Sequence, residues 1–153
     1  MTALVIGVGH RFRGDDAVGP LVADRVADLV AARGLSGVAV IEHHGEGTDL
    51  MERWSGHDRV VIVDATCSAA APGAVRQWDA AAAPLPAGLF PKGSHVFGLA
   101  EGVEMARLLG RLPSHMIIFG IEGRSFAAGA SLSPSVDRSV NEVARKIIEV
   151  LLL

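Results

Sequence analysis

The chain has 153 residues, half of them hydrophobic and a fifth charged, so it is neither disordered nor too short to bury a core. With 14 Lys and Arg against 17 Asp and Glu, the formal charge is −3 and no basic block occurs, which excludes a phosphate-tracking nucleic-acid surface. The single cysteine, Cys67, excludes an internal disulfide framework and a cysteine-based zinc cluster, and no apolar run approaches the ~18 residues of a membrane span.

Residues 3–8 (ALVIGV) are continuously apolar, as a strand covered on both faces would be. Gly7, Gly9 and Gly14 break that run, and a helix is expected over about 17–33, with Val18, Leu21, Val22, Val26, Leu29 and Val30 on one stripe. Gly34 and Gly37 end it. A second strand is expected over 38–42, a short helix around 49–54, a third strand over 60–65 (VVIVDA) and a short fourth strand over 75–78. The stretch 79–93, with Pro84, Pro86 and Pro91, reads as a long surface loop. A helix over 98–110 and a fifth strand over 116–121 (MIIFGI) follow. Ser133-Pro134 signals a helix start, a capping hydroxyl followed by proline at the first helical position; Val136, Val140, Val143, Ile147 and Leu151 carry that helix onward. The alternation predicts one α/β domain over 1–153, a three-layer α/β/α sandwich on a mostly parallel sheet. The first sixteen residues lack the charged and long apolar regions of a signal peptide, so a cytoplasmic protein is expected.

In open α/β sheets a site lies beyond the carboxyl ends of the strands. Three of those ends are polar here: His10 to Asp16 after the first strand, Glu42 to Gly47 after the second, and Asp64 to Cys67 at the third. Gly7-Val8-Gly9 followed by Glu42 suggests a dinucleotide loop, but the third glycine stands at position 14 where the fingerprint wants 12. Asp15 and Asp16 would also occupy the helix N-terminus that a pyrophosphate needs. No Lys-Ser or Lys-Thr follows, so a P-loop is excluded. Carboxylates on such a turn suit a cation instead. Asp16 and Asp64 would project into one crevice of a parallel sheet, and His95, just ahead of the third helix, would complete a mixed nitrogen and oxygen site with open positions. That donor set suits Ni²⁺, Zn²⁺ or Mn²⁺.

Each residue also has a plain structural use. Asp15 or Asp16 serves as a helix cap, Asp64 as an acceptor for loop amides, and His95 as a structural histidine. His43 and His44 lie near the crevice, whereas His57 and His115 abut predicted strands as surface positions. Cys67 is the competing nucleophile, and Gly123-Arg124-Ser125-Phe126-Ala127 misses the serine nucleophile elbow by its last residue.

Taken in order, Gly7-Val8-Gly9, Gly14-Asp15-Asp16-Ala17-Val18-Gly19, Val63-Asp64-Ala65, His95-Val96-Phe97-Gly98-Leu99, Gly120-Ile121-Glu122 and Leu132-Ser133-Pro134 resemble the hydrogenase maturation proteases over nearly the whole chain. The resemblance implies a three-layer fold on a five-stranded twisted sheet. It also implies an endopeptidase that removes a C-terminal extension from the large-subunit precursor of a nickel–iron hydrogenase after nickel insertion. On that likeness Asp16, Asp64 and His95 contact nickel that arrives in the substrate and carry the catalytic site. The metal would polarise the scissile carbonyl or activate water, or a carboxylate would act as general base. Three departures stand out. His10 replaces the family's usual Asn, His43-His44-Gly45-Glu46-Gly47 replaces a Gly-Gly-Thr-x-Gly loop keeping only Gly47 in register, and Gly123 replaces a proline.

Overall fold

A computed structural model describes residues 2–91 and 95–153. The elements are β1 (Ala3–Val8), a 3-10 turn (Gly14–Ala17), α1 (Val18–Ala32), β2 (Val38–His43), α2 (Gly47–Trp54), β3 (Arg59–Thr66), β4 (Val75–Asp79), α3 (Leu99–Leu108), β5 (His115–Glu122) and α4 (Pro134–Leu151). The strands form one sheet in the order β2-β1-β3-β5-β4, parallel throughout except for β4, which runs antiparallel to β5 at one edge. The parallel register aligns Gly7 with both Glu42 and Val63, and Asp64 with Gly120, so the carboxyl ends of β1, β2, β3 and β5 share one edge.

The apolar runs are continuous because both faces are covered. Alternate residues of each strand point to opposite sides. Val5, Val61, Val63, Phe119 and Ile121 pack against Val22 and Val26 of α1 and against Val143 and Ile147 of α4. Leu4, Ile6, Ile62, Met116 and Ile118 face the other way, onto Leu50 and Trp54 of α2 and Val103 of α3. Helix α1 crosses β1 at backbone contact. A Cβ added to Gly19 would stand 2.1 Å from the Val8 oxygen, and one added to Gly7 would stand 2.3 Å from the Gly19 oxygen. That close crossing sets the turn bearing Asp16 directly above the end of β1.

The expected elements all form, with no end shifted by more than two residues. One expectation needs correction. The stretch after β4 is not simply a surface loop: Ala80, Leu85 and Phe90 are buried against the α2/α3 face, and Phe90 meets Trp78 edge-on at 5.5 Å. Its alanines and prolines obscure three apolar anchors that have no periodicity. The end of that stretch, residues 92–94, lies outside the described residues. Among the described residues, no helix is long and apolar enough to cross a membrane.

Candidate functional site

Asp16, Asp64 and His95, from three distant segments, line one cleft of ≈100 Å³ at the carboxyl edge of the sheet, together with His10, Arg13 and His44. Asp64 stands near the end of β3 and is only 3% exposed. Its Oδ1 accepts the neighbouring Ala65 N–H at 2.8 Å. Burial pushes its carboxyl well above the usual range, and the negative field of Asp16 pushes the same way, against that one hydrogen bond. Asp16 is half-buried and accepts the His10 N–H at 2.9 Å. Burial raises its carboxyl too, opposed by the His10 contact. Two carboxyls that feel each other in a partly dry cleft do not both ionise readily, so the cleft is poised to take a proton or a cation.

Asp15, the adjacent acid, does something different. It is fully buried and accepts four hydrogen bonds from the segment between β5 and α4: the N–H groups of Arg124 (2.7 Å), Ser125 (3.1 Å) and Ser133 (2.7 Å), and the Ser133 hydroxyl (2.7 Å). Burial alone would raise its carboxyl; the four donors outweigh that and hold it below the ordinary value. Neither acid caps the 3-10 turn through its side chain. Ser133 precedes Pro134 at the start of α4 as expected, but its hydroxyl makes no cap bond. A buried carboxylate is the stronger acceptor and takes it.

His95 precedes α3 on a segment tied at two points. The Gly47 N–H donates to the Phe97 oxygen (2.8 Å), and the Gly98 N–H donates to Glu101 Oε1 (2.9 Å). Its Nε2 lies 3.3 Å from Nδ1 of His44. The coordinating atoms of Asp16, Asp64 and His95 share the cleft but are not gathered to metal-ligand spacing. Among the described residues, the set whose donor atoms lie within 4.8 Å of one another is His43, His44 and Asp49. That set is not three free donors. The Gly45 N–H donates to His43 Nδ1 at 2.8 Å, which places the ring proton on Nε2, and Nε2 donates to Asp49. Burial pushes the His43 imidazole down, with Asp49 opposing.

The competing readings lose their supports. Glu42 accepts from Arg11 Nε at 2.8 Å, and Arg11 also forks onto Asp24, so Glu42 is not a free ribose acceptor. Cys67 is exposed and outside the cleft lining. Arg124 and Ser125 hold Asp15 through their backbone. His115 is exposed, as expected. His57 is half-buried, in a groove with Trp54 and Arg111 near the opposite edge of the sheet. The sequence placed Glu122 in the family motif without a role; it is a buried carboxylate at the end of β5 that accepts from the Thr66 hydroxyl, the Ser68 hydroxyl and the Ser68 N–H at 2.7–2.8 Å. Arg13 and Phe126 were likewise not singled out as lining the cleft. Phe126 lies too far along the chain for any spacing rule to attach it to Asp16.

Residues 24–150 match the hydrogenase maturation protease family. The chain belongs to that family. The matched span includes Asp64 and His95 and begins after Asp16. The chain is also 23% identical over 149 residues to the hydrogenase expression/formation protein HupD of Thiocapsa roseopersicina, covering 97% of this chain and 66% of that relative's length. Its fold is similar to that of the hydrogenase maturating endopeptidase HybD from E. coli, with a TM-score of 0.79 at 21% identity, covering 99% of this chain and 92% of the other. The hydrogenase maturation protease HycI from Thermococcus kodakarensis gives 0.74 at 22% identity, covering 99% and 93%. This member of the family thus carries the expected fold, with the glycine loop, the β3 acid and the histidine ahead of α3 opening on one cleft.

Proposed function

We propose that this chain is a cytoplasmic, single-domain endopeptidase that removes the C-terminal extension of a nickel–iron hydrogenase large-subunit precursor, and that it reads the nickel of that substrate through Asp16, Asp64 and His95. The observation that carries this reading is the convergence of two carboxyls and an imidazole on one open cleft. Family membership supports the class of reaction. The electrostatics supply a reason for nickel dependence. With no cation present, burial and the negative field of Asp16 both favour the protonated form of Asp64. A carboxyl must lose that proton to ligate, and a divalent cation arriving in the substrate compensates both the proton and the repulsion between the two acids. A precursor without nickel brings no such compensation. Once engaged, the nickel leaves coordination positions for the substrate's own ligands. The hydrolytic step then uses carbonyl polarisation by the metal or, as in aspartyl-type chemistry, proton abstraction from water by a carboxylate of the cleft.

Asp16→Ala, Asp64→Ala and His95→Ala are each expected to lower processing of nickel-loaded precursor by at least ~10²-fold, the usual scale for a lost acid, base or ligand. Unfolding of all three variants should stay cooperative. Wild-type processing by any one of them would remove that residue from the site.

A further inference from the structure

We propose that His44 and His95 form a two-imidazole bite for a divalent first-row cation at the mouth of the cleft. His44 lies in the loop after β2 and is exposed. Its Nδ1 stands 3.3 Å from Nε2 of His95, with the rings tilted at 43° and their centroids 5.1 Å apart. That separation is long for an N–H donor bond, whose usual length is about 2.9–3.0 Å. It fits a shared metal better. Two nitrogens each about 2.0–2.1 Å from one cation, at a tetrahedral angle, stand about 3.3–3.4 Å apart.

The two rings are held in place by different means. His44 stacks on His43 at 4.4 Å and 26°, and His43 is locked by Gly45 on one nitrogen and Asp49 on the other. Among the described residues, the one further contact of His44 Nδ1 is a long one, from the Glu46 N–H at 3.4 Å. His95 is carried by the segment pinned at Phe97 and Gly98. His43 is thus a platform and not a metal donor, and the two imidazole nitrogens that face each other belong to His44 and His95. Imidazole pairs of this kind suit nickel, zinc and copper more than magnesium or calcium. Coordination positions beyond the two nitrogens remain open to water or to a substrate's own donors.

This inference shares His95 with the reading above, so its test uses the metal-free protein alone. Calorimetric titration with NiCl₂ and with ZnCl₂ is expected to show one site, weakened at least ~10-fold by His44→Ala and by His95→Ala. His115→Ala, at the far end of β5, should leave it unchanged. In histidine-selective NMR, one equivalent of zinc should shift the His44 and His95 rings together and leave the His43 ring in place. Equal affinity of His44→Ala and wild type would overturn the bite, as would zinc-induced shifts at His43 without His95. Precursor cleavage is scored separately. A protein that binds nickel through both histidines yet leaves precursor uncut sinks the peptidase reading alone, and one that cleaves while His44→Ala binds normally sinks the bite alone.

Discussion

Replacing Asp15 with alanine tests how the turn bearing Asp16 is held. The Asp15 carboxylate is fully buried and gathers three backbone N–H groups and one hydroxyl from the segment joining β5 to α4. A hydrogen bond to a charged group contributes roughly 1.5–3 kcal/mol, and an abandoned buried donor costs about 1–3. Arg124 is exposed and Ser125 half-exposed, so water recovers part of two of these bonds. The expected loss is therefore about 3–5 kcal/mol, a large share of the ~5–15 kcal/mol that stabilises a domain. At roughly 2–4 °C per kcal/mol for a chain of this size, the melting temperature should fall by about 6–20 °C. Urea unfolding followed by circular dichroism at pH 7 reads the change as a lower midpoint at constant m. The native carboxyl lies below its ordinary value, so its contribution is present above the ordinary carboxylate range and disappears as pH falls through the native value. The gap between variant and wild type should therefore narrow in acid. A loss under 1 kcal/mol at pH 7 would refute the clamp.

Asp64→Asn should act with the opposite sign. The Asp64 carboxyl is raised in the native state, so its contribution is fully present below the ordinary carboxylate range and is lost as pH rises through the raised native value. The amide variant should be more stable than wild type at neutral pH, lose that advantage in acid, and process no precursor. Identical stability curves across pH would contradict the burial of an ionisable carboxyl there. Gly19→Ala, whose Cβ would meet the Val8 oxygen at 2.1 Å, should cost about 3 kcal/mol or more in denaturant unfolding. A neutral outcome would mean that α1 does not cross β1 at backbone contact.

The alternation of strands and helices was legible because each strand is buried on both faces and each helix carries one apolar stripe. Strand order was not. Nothing within VRQWD says that β4 runs antiparallel at the edge, since that depends on its pairing with β5 some forty residues later. Asp16 and Asp64 could be read as site acids because strand ends in parallel sheets open on a shared crevice. The divergence of Asp15 from Asp16 could not be read, because the four donors that claim Asp15 lie 109 to 118 residues away. His43 and His44 look alike in sequence. Only the fold shows that one is locked between Gly45 and Asp49 while the other turns toward His95.

The central claim is that substrate nickel is what the acid–acid–histidine cleft reads. Large-subunit precursor is purified once with nickel inserted and once without, and each is incubated with the wild-type chain while release of the C-terminal extension is followed by mass spectrometry. Release from the nickel-loaded precursor alone is the predicted result; equal release from both would contradict it.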